Sequence, residues 1–84
     1  MTELTPLLVT LQDMITLLVS EAERVKLDVI SSTTSRLSMI TIEVAPQDLG
    51  KIIGRNGSVI KSLQTLASAY AGKVQKTVVL ELVE

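Results

Sequence analysis

Three of the chain's four glycines fall within eight residues, in the run GKIIGRNG from Gly50 to Gly57. Glycine reaches positive φ without steric cost, so sharp reversals concentrate where glycine is placed. Gly54 and Gly57, with Arg55 and Asn56 between them, mark a hard turn, and both flanks read as helix. Pro46 opens a short helix through PQDLGKII. Asp48 lies in its first turn, where a negative charge complements the helix dipole, and Gly54 ends it. Ser58 is placed to cap a longer helix with Val59, Ile60, Leu63, Leu66, Ala67 and Tyr70 on one face. Gly72 suits the C′ position of that helix.

Periodicity organises the rest. Thr5 and Pro6 form a helix start, and Leu7, Leu11, Met14, Ile15 and Leu18 then share one face. Val9 and Leu17 widen the apolar surface enough for a second neighbour or a dimer contact. RVKLDVI, residues 24–30, alternates Val25, Leu27 and Val29 against Lys26 and Asp28, the pattern of a half-buried strand. SSTTSR, residues 31–36, is a polar turn without glycine. LSMITIEVA, residues 37–45, alternates with Ile40, Ile42 and Val44 inward. KTVVLELVE closes the pattern with Val78, Leu80 and Leu82.

The expected order is α-β-β-α-α-β: a helix over about 5–21, a hairpin over about 24–45, helix–GRNG–helix over about 46–72 and a strand over about 76–83. The two-helix crossover is long enough to make the second and third strands parallel. The fold class is α+β, a single domain over 1–84, with a three-stranded mixed sheet and helices packed on one face.

Composition excludes several chemistries. The 84 residues contain no Cys, His, Phe or Trp, and Tyr70 is the only aromatic. Disulfides are impossible, a structural zinc lacks its usual ligands, and Ser-His-Asp and Cys-His systems are ruled out. No cofactor is expected, and an enzyme is not. The apolar run LTPLLVTLQDMITLLV, residues 4–19, is too short to span a bilayer and contains Pro6, Gln12 and Asp13. It lacks the basic and small-residue flanks of a signal peptide. The expectation is a cytoplasmic protein with no membrane partner.

The net charge of −1 is unevenly spread. Residues 1–46 hold six acids and three cations, whereas Lys51, Arg55, Lys61, Lys73 and Lys76 stand in a stretch without an acid. Segregation of this kind makes either a solvated helix face or a surface for anions. The turn favours anions in principle, because the helix that follows presents free N–H groups and its positive dipole end, and Arg55 adds a forked donor. Two nucleotide fingerprints do not fit. No lysine follows Gly57 as a P-loop requires, and the G-x-x-x-G-x-x-G spacing after a helix is not the dinucleotide pattern.

GKIIGRNG resembles the I-G-x-x-G signature of the K-homology (KH) family, with residues 54–57 as its G-x-x-G loop. The element order is similar to the type II KH arrangement, and the resemblance covers essentially the whole chain. It is closest in kind to the small stand-alone bacterial members. The resemblance implies a clamp for about four nucleotides of single-stranded RNA, or of single-stranded DNA. Carried over by position, Gly54, Arg55, Asn56 and Gly57 would follow the sugar-phosphate backbone, with Ser58 beside them and Lys51 and Lys61 at the rim. Ile53 or Ile52, Val59, Ile60 and Ile42 would divide between core and bases. The resemblance also implies a post-transcriptional regulator or RNA chaperone. Its partners would be a second copy, as a homodimer, or a larger KH-containing protein of the Jag/KhpB type. The alternative is a protein-interaction or dimerisation module. No aromatic lies near the loop to stack on bases, a contact worth about 1–3 kcal/mol each. With about three phosphates neutralised, the salt slope of binding would be near −2.

Overall fold

A computed structural model describes residues 3–31 and 36–84. Six main elements follow in order: α1 (Thr5–Leu18), β1 (Lys26–Ser31), β2 (Leu37–Glu43), α2 (Leu49–Ile53), α3 (Ser58–Lys73) and β3 (Thr77–Leu82). Single 3-10 turns at Ala22–Arg24, Pro46–Asp48 and Arg55–Gly57 join them. Most of the polar turn between β1 and β2, residues 32–35, lies outside the described residues.

The sheet order is β1-β2-β3. β1 pairs antiparallel with β2, matching Leu27 with Ile42 and Val29 with Ile40. β2 pairs parallel with β3, matching Ile40 with Leu80. The parallel pairing is what the crossover through α2 and α3 requires. β2 is central and its inward Ile40 and Ile42 are fully buried. Leu7, Leu11 and Ile15 of α1, Ile52 of α2, Leu63, Ala67 and Ala71 of α3 and Val78 of β3 complete one aliphatic core. Met14, Leu18 and Leu66, expected on the inward faces, are exposed instead. The buried stripe on each helix is narrower than the apolar pattern.

The free edge of β3 is covered in its middle by one side chain. The Leu80 N–H donates to Gln64 Oε1 at 2.8 Å, and Gln64 Nε2 donates to the Val78 carbonyl at 2.9 Å. The Gln64 amide therefore pairs with the middle of β3 much as a neighbouring strand would, and covers that part of the edge. At the other end, Tyr70 Oη donates to the Glu3 carbonyl at 2.6 Å and Lys76 reaches the Glu3 carboxylate at 3.7 Å. The single aromatic thus ties the start of the chain to α3.

Helix ends differ from the sequence expectation for tertiary reasons. The residue before α1 is Leu4, not Thr5, and no side chain caps the helix. Leu4 is buried and its carbonyl accepts the Leu8 N–H at 2.9 Å, so burial overrides the capping preference. α1 stops at Leu18, short of residue 21, because the Ser20 and Glu21 N–H groups donate to Asp48 instead of to α1 carbonyls. β1 begins at Lys26, because the chain from Ala22 to Arg24 closes a turn. Ser58 caps nothing; Gly57 precedes α3.

Gly72 is not the left-handed terminus of α3. That place belongs to Gln75, at φ 60°. Gln75 N–H donates to Gly72 O at 3.2 Å and Lys76 N–H to Ala71 O at 2.8 Å, the paired bonds of a Schellman ending. Gly72 itself is helical, and a Cβ there would meet open space. Gly72→Ala should therefore raise stability by about 0.5–1 kcal/mol. Urea denaturation checks this; a loss of stability would contradict the Schellman ending at Gln75.

Candidate nucleic-acid interface

α2 has five residues, too few to be stable alone, so both its ends must be held. Ile52 anchors its middle with no exposed surface, and Ile53 is half-buried beside the loop. The chain then leaves the helix through Gly54 at φ 75°, ψ 174°. Asn56 at φ 56° and Gly57 at φ 75° are both left-handed, and α3 begins immediately after them. Gly57 N–H donates to Gly54 O at 3.2 Å, closing the loop on itself.

The two glycines are required for different reasons. A Cβ on Gly54 would lie 2.4 Å from Val59 Cγ2 and 2.8 Å from the Val59 backbone nitrogen. Here the missing side chain makes room for the protein's own α3. A Cβ on Gly57 would meet only Lys61 Cε, at 3.6 Å. Gly57 satisfies its backbone angle, and no backbone atom crowds its Cβ position.

Arg55, Asn56 and Ser58 are exposed around this turn. The Lys61 stem crosses to Gly57, so a residue one helical turn away joins the loop. Lys51 does not join it in the same way. Its side chain is 49% exposed, but its ammonium lies 3.1 Å from Oδ1 of Asp48, a carboxylate with no exposed surface. Of the five cations between residues 51 and 76, Lys51 pairs with Asp48 and Lys76 with Glu3; Arg55, Lys61 and Lys73 have no ion-pair partner among the described residues. Ile42 and Ile52 are fully buried and offer nothing to a base. Val59 and Ile60 are half-buried against the core.

Asp48 is the residue whose partners sequence reasoning missed. Its place in the first turn after Pro46 is as expected, but the side chain is buried and fully bonded rather than serving only the helix dipole. Ser20 N–H and Oγ donate to Oδ1 at 3.0 and 2.8 Å, and Glu21 N–H donates to Oδ2 at 3.1 Å. The Ser20 N–H does most to hold this carboxyl well below the usual range. Burial opposes it, and the Ser20 hydroxyl, Lys51 and the Glu21 N–H reinforce it. Gln47 donates to the Glu21 carboxylate alongside. A serine and an aspartate 28 positions apart leave no local pattern, so no sequence signal marked the pair.

Among the described residues, no cluster of three or more His, Cys, Asp or Glu could hold a metal, and no helix is long and apolar enough to cross a membrane.

A helix–G-x-x-G–helix unit within an α-β-β-α-α-β frame, with β2 and β3 parallel, defines a type II KH domain. The chain belongs to the KhpA/KhpB KH-domain family, whose model matches residues 9–82. This is a family of binding domains, not enzymes. It is 37% identical over 67 residues to the RNA-binding protein KhpA of Borreliella burgdorferi, covering 80% of this chain and 79% of that one. It is 40% identical over 55 residues to the RNA-binding protein KhpA of Clostridium acetobutylicum, covering 64% and 73%. It is 41% identical over 46 residues to the Aquifex aeolicus protein of the same name, covering 55% and 58%. No solved structure matches the chain.

The glycine geometry separates two substitutions. Gly54→Ala should cost about 3 kcal/mol or more, combining a glycine-only conformation with overlap on the Val59 backbone. Gly57→Ala should cost only about 1–2 kcal/mol, the strain of a left-handed residue. Denaturant titration of both variants distinguishes them; equal losses would contradict the overlap at Gly54.

Asp48 also sets an acid limb. Its carboxyl titrates lower in the folded chain than the ordinary 3.8. Its stabilisation is therefore complete above that value and lost as pH falls through it toward the lowered one. Stability measured in urea from pH 5 downward should decline, and Asp48→Asn should flatten the decline.

Proposed function

We propose that the chain binds single-stranded RNA by laying the sugar-phosphate backbone along residues 54–57, as a post-transcriptional regulator or RNA chaperone in the cytoplasm. The observation that carries this reading is the uncrowded Cβ side of Gly57, where only Lys61 Cε comes within 4 Å, beside the exposed Arg55 and Asn56. Two left-handed residues in succession expose backbone there, and the amino end of α3 adds its dipole without a side-chain cap. Relatives that carry the name RNA-binding protein support the same reading.

The residues in named roles are Gly54, Arg55, Asn56, Gly57 and Ser58 along the backbone, Lys61 as the second cation and Ile53 as the half-buried floor. With Lys51 held by Asp48, two cations face phosphate. The slope of log K against log salt should be about −1.4, from roughly −0.7 per phosphate on a single strand. This is shallower than the three-phosphate expectation. Arg55→Asp combined with Asn56→Asp should reduce affinity for a single-stranded oligoribonucleotide at least ~10-fold and flatten its salt slope. Circular dichroism should be unchanged, since both side chains are exposed. Unaltered binding would remove the loop from the interface.

A second reading, a dimerisation or protein-interaction module, is favoured by α1. Leu17 is 86% and Val9 56% exposed, and a shallow hollow of about 300 Å³ lies against Leu8, Val9 and Leu27. A second copy, or a larger KH protein of the Jag/KhpB type, would cover this face. In the experiment above, sedimentation of the loop variant reads this directly: unchanged mass with lost RNA binding assigns the loop to RNA and leaves α1 for protein.

A further inference from the structure

Asp48 stands at the junction of three pieces of chain. Its carboxylate accepts from Ser20 and Glu21, which follow α1, and from Lys51, which lies in the last turn of α2. It sits one residue before α2, and α2 ends directly at Gly54. Asp48 lies six residues before Gly54, about 9 Å of helix axis at 1.5 Å per residue. So short a helix is not stable alone, and Asp48 adds a fixed point at its start to the Ile52 anchor in its middle.

The pairing with Lys51 is not an ordinary surface contact. One partner is exposed and the other has no exposed surface. A buried carboxylate that loses its cation keeps its three donors from Ser20 and Glu21 but gives up its only paired charge, a larger loss than that of a solvent-exposed pair. A phosphate at the loop competes for Lys51 against that buried charge, whereas Arg55 and Lys61 carry no such commitment among the described residues.

We infer that Asp48 is a positioning residue for the loop. Its carboxylate bolts the start of α2 to the chain leaving α1 and keeps the Lys51 ammonium on the protein, so that phosphate meets Arg55 and Lys61. The inference rests on the reading of the loop as an RNA clamp, and it adds a restraint on how many cations that clamp presents.

The test is a cycle of Lys51→Met, Asp48→Asn and the double variant, each titrated with a short single-stranded oligoribonucleotide across a series of potassium chloride concentrations. Lys51→Met should leave the salt slope at the wild-type value. Asp48→Asn frees Lys51 and should steepen the slope by about 0.7, one added phosphate contact. The double variant should return to the wild-type slope. A purely structural role for Asp48 would not produce a steepening that Lys51→Met reverses. A slope shallower by about 0.7 in Lys51→Met alone, or no steepening in Asp48→Asn, overturns the withdrawal of Lys51. Lys51→Met leaves the Ser20 and Glu21 bonds to Asp48 in place and keeps the test decisive should Asp48→Asn fail to fold.

Amide exchange reads the positioning half without RNA. Gly54 and Gly57 N–H groups are bonded to Gly50 O and Gly54 O. In Asp48→Asn, or in the milder Ser20→Ala, their exchange should quicken while that of buried Ile40 and Ile42 stays slow. Unchanged exchange at the two glycines overturns the positioning role. Absence of RNA binding by the wild-type chain would instead overturn the clamp and leave the exchange result to stand by itself.

Discussion

The direction α3 takes on leaving α2 is the constraint on which the rest of the site depends. It is set where Val59 lies against the α-carbon of Gly54, so close that no Cβ fits between them. The contact couples the loop to the core, because Val59 packs on the same cluster as Ile52 and Leu63. A reversal made this tightly leaves little room for the intervening residues to wander. Arg55 and Asn56 are exposed, yet the peptide that carries them is pinned at Gly54 by van der Waals contact and closed by the Gly57 N–H bond to Gly54 O. A backbone ligand would meet a surface already in its bound shape, and association would order less chain than a flexible glycine loop requires.

Charge along the sequence and charge at the site are different quantities. Five cations in one stretch suggest a broad basic surface. In the folded chain Lys51 is turned toward a buried carboxylate, and Lys76 toward the start of the chain. Lys73 sits twelve residues along α3 from Lys61, about 18 Å at 1.5 Å per residue. What remains at the loop is a pair, not a patch. An overall charge of −1 is compatible with an anion site of this size, because within a Debye length of about 8 Å only the nearest groups act.

Most of the fold was legible because it follows from local periodicity. Alternation at Val25–Val29 and Ile40–Val44, helical spacing through Leu7, Leu11 and Ile15, and the glycine turn between two helices each involve neighbours in sequence. The parallel pairing of β2 with β3 then followed from crossover length. What escaped was set by distant partners. Ser20 and Glu21 give their N–H groups to Asp48 and end α1 early. Leu4 takes a capping position because the core takes its side chain. Gln75, rather than Gly72, adopts the left-handed turn, with its N–H on the Gly72 carbonyl and that of Lys76 on the Ala71 carbonyl. At the loop, the sequence identified Gly54, Arg55, Asn56, Gly57 and Lys61 as neighbours. It did not separate the glycine needed for room from the glycine needed for its backbone angle. Nor did it remove Ile42 from the set of base-facing residues.

The aliphatic interior explains both the strength of the scaffold and the weakness expected of its grip. Leu, Ile, Val and Ala fill the core without leaving a polar atom to satisfy, and among the described residues no buried side-chain N or O lacks a partner. The same composition denies the loop an aromatic platform. Tyr70 is held by its hydroxyl on the Glu3 carbonyl, so the one ring is committed to closing the chain. On the proposed reading, two cations and a backbone turn would be the main terms available to hold a strand. Each is modest in water and screened by salt. A rigid loop with few contacts exchanges its ligand quickly, and retention grows by joining sites rather than by strengthening one. For two joined copies, the second contact forms at the effective concentration set by their spacing, so overall retention rises by orders of magnitude with no new interaction at either loop. On this physics the exposed apolar stripe of α1 and the glycine loop are complementary: the first would supply the valency that the second lacks.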